Sequence, residues 1–417
     1  MIRDAWQTLR LIRTARASNR WPAAKRRAHQ EGRLKAILRH AYRNVPIYRR
    51  LYDEHGFRPD DFKSLDDLSR IPVLKKDWFQ QTDPTDRLSH GLIPAKLYSV
   101  ATSGTTGHPF RVCLSAADAG WQRAVAWRIL FEHGFRLTDR TLEIRMTPGE
   151  QFLVQSVGIA PKTWASVTEE PEAWLRTLAR GRHQVVVASA STLQALAEVA
   201  ELHRHTFRPP RLVISDSETL TPATRASVRD ALGTEPVDVY GLVEVSNFAW
   251  ECGERNGYHI SDDSHVVEVL APPGRRGNII VTALGMSAMP FIRYDTGDVS
   301  AFAKAPCPCG RRSPMLQRIY GRSFDAVRLA DGRQIFWPVF YEILSAHDPV
   351  TQWRVIQESI DHLTVEFVGD GDPAVIRRQI GTDLRRILPD DMTLAIKQVA
   401  AIDSKPGKVR LVRSNVH

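Results

Sequence analysis

The chain has 417 residues, 43% hydrophobic and 25% charged. This composition suits a globular chain too long for one ordinary domain. It holds no apolar run near the ~20 residues that span a bilayer and no uninterrupted apolar leader, which argues against secretion and for the cytoplasm. The net charge of +10 is local: residues 1–50 carry fourteen Lys or Arg against Asp4 and Glu31, and the remainder is near −2, unlike a nucleic-acid-binding body with basic charge spread along its fold.

In chain order, residues 1–50 read as helices interrupted at Pro46. Trp6, Leu9 and Ile12 recur at helical spacing among Arg3, Arg10, Arg13 and Arg16. Such a helix lies on a membrane surface, meets an acidic partner, or docks on its own domain with a solvated basic face. Residues 51–90 read as short helices and turns. Strands are expected at Leu97–Val100 and Phe110–Leu114, with a helix over Ala116–Gly134. Short apolar runs at Val185–Ala188, Leu212–Ser215 and Val237–Tyr240 alternate with helical patterns at 191–205 and 222–232. That alternation implies a layered α/β domain with parallel pairing. Residues 263–303 become strand-rich and antiparallel.

The tail reads as a separate α+β unit. It has a hairpin (Val327–Leu329 and Gln334–Phe336), a helix at 338–346 and strands at 352–357 and 362–368. A helix at 373–386 and a strand at 393–399 complete it. The expected division is 1–321 and 322–417.

The sharpest local signal is the loop Thr102-Ser103-Gly104-Thr105-Thr106-Gly107-His108-Pro109. Glycines let backbone amides approach an anion and hydroxyls add donors, so the loop suits a polyphosphate. The same composition also makes a flexible hairpin turn. It lacks the Gly-Lys-Ser/Thr end of a Walker loop. Cys252, His259, Cys307 and Cys309 fall in two short segments and make a Cys3His set, the donor type of a closed structural Zn2+ site. The alternative is unpaired thiols, although cysteines between prolines in a polar loop are poor core residues.

The loop resembles the Ser-Gly-Thr-Thr-Gly-x-Pro signature of the acyl-adenylate-forming superfamily. Asn44-Val45-Pro46-Ile47-Tyr48 and Ile71-Pro72-Val73-Leu74-Lys75 narrow the likeness to the phenylacetate–CoA ligase group and its capsule-biosynthesis relatives. Three further motifs follow in order: Ser215-Asp216-Ser217-Glu218-Thr219, Asp238-Val239-Tyr240-Gly241-Leu242-Val243-Glu244, and Arg293-Tyr294-Asp295-Thr296-Gly297-Asp298. The resemblance implies a large N-terminal adenylate-forming domain of mixed sheets and helices with a small mobile α+β C-terminal domain. It implies that Ser103, Gly104, Thr105, Thr106 and Gly107 hold ATP phosphates, that Ser217, Glu218, Tyr240 and Gly241 line the adenine pocket, and that Asp298 takes the ribose. Glu244 then holds Mg2+, Arg322 sits near the nucleotide at a hinge running to Asp325, and Lys408 is the catalytic lysine. Some relatives hold zinc at positions like those of the four Cys/His residues.

His108 stands where Lys is usual, and Val243 where a hydroxyl is usual. The implied reaction joins a carboxylic acid, aryl or arylacetic by resemblance, to AMP and then to an acceptor. CoA leads as acceptor; an amine or a carrier-protein thiol fits the same chemistry. A degenerate binding protein is the rival of another class, resting on His108 and Val243. Whether the chain is a homodimer stays open. Trp127, Phe131, Phe152 and Trp164 are aromatic candidates for lining the acid pocket, or for packing in the core.

Overall fold

The structure, a computed structural model, describes residues 13–14, 17–101, 110–146, 155, 158–203, 207–272, 275–321, 326–347, 349–402 and 412–416. The expected amphipathic pattern at Trp6–Ile12, the loop 102–109, Phe152, Arg322–Asp325 and Lys408 lie outside them. None of the described helices is long and apolar enough to cross a membrane.

Helix α1 (Ala23–Asn44) docks through Leu34, Ile37, Leu38 and Ala41, a three-to-four-residue spacing that places them on one face. Its arginines meet acids of the same chain: Arg26 pairs with Asp262, Arg27 with Glu31 and Asp66, and Arg39 with Asp60. The described part of the basic segment is therefore a helix packed on its own body. Val45 is extended, and Pro46 opens α2 (Pro46–Glu54) at its first turn, where a missing N–H costs nothing. Helix α3 (Lys76–Gln81) is anchored by Phe79 against Phe110 and Phe291.

Strands β1 (Tyr98–Ala101) and β2 (Arg111–Leu114) pair antiparallel on either side of residues 102–109. Helix α4 (Ala116–Glu132) follows, capped by Ser115 and Asp118. The chain then alternates: β3 (Thr141–Arg145), β4 (Lys162–Ser166), α5 (Pro171–Gly181), β5 (Val185–Ser189), α6 (Ala190–Leu202), β6 (Leu212–Asp216), α7 (Pro222–Leu232), β7 (Val237–Leu242), β8 (Ser246–Glu251) and β9 (Tyr258–Ile260). These strands and β13 (Met315–Leu316) form one eight-stranded sheet in the order β13-β9-β8-β7-β6-β5-β3-β4. It is parallel from β4 to β7 and antiparallel from β7 to β13.

Each face of the parallel half is covered, so β6 is buried at every position. Leu142, Ile144, Val186 and Val213 pack on α5, α6 and α7. Val185, Leu212, Ile214 and Val239 pack on the other side with Ile129 of α4. A second sheet, β10 (His265–Leu270), β11 (Gly277–Ala283) and β12 (Tyr294–Ser300), is antiparallel as expected. The alternation did not predict β3, β4, β8 or β9.

Beyond Gly321 come β14 (Ala326–Arg328), β15 (Gln334–Phe336), α8 (Trp337–Leu344), β16 (Val350–Ser359), β17 (His362–Gly369), α9 (Pro373–Arg385), β18 (Thr393–Gln398) and β19 (Val412–Ser414). Val327, Phe340, Leu344, Val355, Val365, Phe367, Ile376, Ile380 and Val412 make their own apolar core. Gly321 has φ +90° and abuts the Trp337 indole, where an added Cβ would lie 2.5 Å from Nε1. Glycine is needed there for both reasons.

Candidate functional site

The parallel strands β3, β5, β6 and β7 deliver their carboxyl ends to one edge of the large sheet, the edge at which ligands bind in open α/β folds. β7 brings Tyr240 and Gly241 to that edge. A Cβ on Gly241 would meet the Asn247 backbone at 2.5 Å, so the tight turn into β8 requires glycine. The Tyr240 ring stands edge-on to Phe248. Its hydroxyl donates to Oδ2 of Asp298 at 2.8 Å, joining two motifs 58 residues apart.

Asp298 is presented by an irregular stretch of β12. Gly297 has φ +73°. The Gly297 N–H donates to Asp295, and the Asp298 N–H to Thr296 Oγ1. Arg293, from the same motif, is scaffold: buried, it makes a two-point pair with Glu268 at 2.9 Å on each side and donates to the Ile71 carbonyl.

Glu244 lies in the turn between β7 and β8 and is 2% exposed. Its Oε1 accepts from Lys76 Nζ at 3.0 Å and from the Tyr294 hydroxyl at 2.9 Å. Two elements hold this group in place. The Leu74 N–H donates to the Arg293 carbonyl and the Asp295 N–H to the Leu74 carbonyl, fixing the segment before α3 on β12. His265 Nε2 bonds the Val245 carbonyl at 2.8 Å. Burial lowers the His265 pKa to about 4, so this prop is a neutral imidazole.

Ser217 and Glu218 leave β6 at the same edge. Ser217 has φ +68°, a strained backbone for a non-glycine residue of the kind found at binding sites. Glu218 Oε2 accepts the Ser191 N–H at 2.8 Å, satisfying an orphan donor of α6. Asp216 is held by Nη1 and Nη2 of Arg145, each at 2.7 Å. Lys162 bonds Glu143 at 2.6 Å. Burial presses the Glu143 pKa upward, but Lys162 and Arg145 bring it below its ordinary value.

Near the start of β7, Asp238 is buried with the Tyr258 hydroxyl donating to it at 2.6 Å. Burial pushes its pKa up to about 7. The neighbouring Glu251 is clamped by Arg225, both contacts 2.8 Å.

A second cluster lies where β8 ends. The donor atoms of Cys252, His259, Cys307 and Cys309 all fall within 4.8 Å of one another. Cys252 and Cys307 sulfurs are 3.5 Å apart, and Cys309 Sγ is 3.3 Å from His259 Nε2. A tetrahedral zinc with bonds of about 2.0–2.3 Å separates its ligands by about 3.5–3.8 Å, so this donor set fits. The His259 pKa is lowered to about 4, first by burial and then by Arg311 and Arg128. Its Nδ1 lies 3.1 Å from Ser313 Oγ, which leaves Nε2 for the cluster, the second-shell arrangement of metal-bound histidines. All four cysteines are free of disulfides.

Of the aromatic candidates, Trp127 and Phe131 pack on each other and on Phe135. Trp164 is carried by β4. Sequence reasoning missed Lys76 and His265 and assigned no role to Tyr294. Only Tyr294, inside a quoted motif, had a signal; Lys76 lies 168 residues from Glu244 with nothing local to mark it.

No family model matches the chain. It is 32% identical over 329 residues to a phenylacetate-coenzyme A ligase of Thermus thermophilus, covering 73% of this chain and 72% of that protein. It is 31% identical over 326 residues to the phenylacetate-coenzyme A ligase of Escherichia coli K12, covering 72% and 71%. Among solved structures it is similar to a 2-hydroxyisobutyryl-CoA ligase in the postadenylation state in complex with R3-HIB-AMP. The TM-score is 0.74 at 22% identity, over 94% of this chain and 90% of that one, a likeness of fold. By its sequence relatives and by its architecture, the chain belongs to the phenylacetate–CoA ligase family of adenylate-forming enzymes.

Proposed function

We propose that the protein uses ATP to activate a carboxylic acid as an acyl-adenylate and passes the acyl group to the thiol of CoA. The observation that carries this reading is the bond from Tyr240 to Asp298 at the carboxyl edge of the parallel strands. A ring and a carboxylate joined in this way suit the stacking surface and the ribose acceptor that a nucleoside needs. Glu218 and the strained Ser217 border the same edge.

Glu244 Oε1 is occupied, while no described residue bonds Oε2. That oxygen is the one with which Glu244 would meet the Mg2+ carried in with ATP, a hard cation that prefers carboxylate oxygen. Magnesium supplies charge neutralisation along the triphosphate. The chain's own contribution is positional: Asp298 and Tyr240 orient the nucleotide so that the acid attacks the α-phosphorus in line. Lys408 then stabilises charge as pyrophosphate leaves. Turning of a C-terminal domain, from about Arg322 onward, admits the acceptor afterwards.

Zinc at Cys252, His259, Cys307 and Cys309 is structural in this reading. Four protein ligands leave no open position, and the ion would pin the loop after β8 to the loop after β12. The acid is taken to be aryl or arylacetic.

The experiment is acid-dependent exchange of pyrophosphate into ATP, followed by mass spectrometry of the product with CoA, amines or a carrier protein. Exchange with an acyl-CoA product supports the reading. An amide or carrier-bound product replaces its second half. No exchange with any acid, together with no ATP binding, favours a non-catalytic binding protein.

A further inference from the structure

The Cys252, His259, Cys307 and Cys309 cluster, whose reading as a structural zinc site this inference in part rests on, is uneven in the exposure of its sulfurs. Cys252 and Cys307 are buried, whereas Cys309 is half-buried and reaches solvent. Cys252 follows β8 and Cys307 follows β12, so these two sulfurs join loops 55 residues apart in the chain. They are 3.5 Å apart. Closing them to the ~2.05 Å of a disulfide takes a shift of about 1.5 Å. Beside them Cys307 Sγ also contacts Asn256 Oδ1, of the loop after Cys252, at 3.7 Å, so the two loops already touch there. A disulfide between Cys307 and Cys309 would instead close a very tight ring around Pro308, whose φ is fixed. Cys309 Sγ lies within 4.8 Å of Cys252 Sγ.

We propose that this cluster is also an oxidation site: a peroxide converts Cys252 and Cys307 into a disulfide, which expels the zinc and takes over its task of joining the two loops. Cys309, the sulfur that solvent reaches, is the entry. Its thiolate attacks the peroxide; an S–O bond forms as the O–O bond breaks, and the hydroxide released takes up a proton and leaves as water. The Cys252 thiolate then attacks the Cys309 sulfur. The S–S bond forms, the S–O bond breaks, and the hydroxyl leaves with a proton as a second water. Cys307 attacks Cys252 in turn and frees Cys309 as a thiolate, which moves the bond to the closer, buried pair. Two thiols have lost two electrons and the peroxide has gained them; a dithiol reductant returns them. With two of its four donors consumed, the ion is no longer held.

The test treats zinc-loaded wild-type protein with hydrogen peroxide and follows zinc release, free thiols and disulfide-linked peptides by mass spectrometry. The expected result is loss of the zinc together with two thiols per chain, and a cross-link between the peptide holding Cys252 and the peptide holding Cys307 and Cys309. Dithiothreitol restores both thiols. Cys113, half-buried and outside the cluster, is the internal reference and keeps its thiol while the cluster is oxidised. Cys252→Ser abolishes the cross-link, and Cys309→Ser slows it several-fold; should either variant fold poorly, the wild-type measurement decides alone. Thiols and zinc retained under peroxide overturn the proposal. So does irreversible oxidation of Cys309 without a cross-link, or oxidation of Cys113 as fast as the cluster. Protein that carries no zinc before treatment defeats the zinc reading, a distinct result, and with it the expulsion step; the cross-link on that protein then decides whether the pair is an oxidation site.

Discussion

Strand β8 has a buried polar cluster at each end, and the two are satisfied in opposite ways. Before it, Glu244 is met by Lys76 and Tyr294, so the charge balances from within the chain. After it, Cys252 joins His259, Cys307 and Cys309, four ligand atoms within 4.8 Å of one another. Burial pushes the Cys307 thiol up to about 12. A self-balanced cluster can exchange partners when a ligand arrives. A donor set that only an ion balances is suited to holding two loops still. Under the proposed function, the contrast is that between a working site and a structural one a single strand away.

The largest expected effect lies at the structural end. Cys307→Ser should lower stability by about 3–5 kcal/mol, the class of change caused by losing a metal site. Zinc content should fall with it, and chelator should destabilise wild type but not the variant; thermal unfolding and metal analysis measure both. Wild-type protein without zinc, with four freely titratable cysteines, would sink the zinc assignment.

Glu244→Gln tests the other end. It keeps the shape of the side chain but removes its charge, and pyrophosphate exchange should fall by about a hundredfold with little change in unfolding temperature. Undiminished exchange removes Glu244 from the chemistry.

Beside Glu251 at the Cys252 end of β8 lies Asp238, whose pKa of about 7 in the fold stands above the ordinary carboxylate value because of burial. The folded state therefore keeps a proton that the unfolded chain has lost. Its contribution to stability is present at low pH and is lost as pH rises through about 7, with a slope of up to about 1.4 kcal/mol per pH unit. Asp238→Asn should flatten that part of the curve in denaturant titrations. The difference between wild type and variant isolates it from His265, which is buried neutral and acts with the opposite sign. Identical pH profiles would show that Asp238 is ionised in the fold.

The smallest effect is at Glu218. Its bond to the Ser191 N–H makes it a cap for α6, so Glu218→Ala should cost about 1 kcal/mol. Weaker ATP binding in the same variant marks it as an adenine-pocket residue as well; unaltered ATP binding leaves it only a cap.

Much of this was legible in the residues, and the gaps have physical causes. β5 and β6 announce themselves because both their faces are covered and their side chains are nearly all apolar. β3 and β4 do not, because Glu143, Arg145 and Lys162 occupy alternate positions. Those charges are tolerated because they pair with one another and with Asp216. β8 hides for a similar reason: its Glu251 is buried against Arg225. The resemblance pointed to Tyr240 and Asp298, and the fold bonds them directly. The four Cys/His residues of the second cluster were legible by residue type alone. Lys76 was not, since a lysine at a helix start is ordinarily a solvated charge. Only the backbone pairing of Leu74 to β12 carries it to Glu244.

Acid-dependent exchange of pyrophosphate into ATP, run on wild-type protein with a panel of aryl and arylacetic acids, tests the central claim most directly. Exchange that requires an acid of this class, and that is lost in Lys408→Ala, is the predicted result. Absence of exchange with every acid and absence of ATP binding, or undiminished exchange in Lys408→Ala, would contradict it.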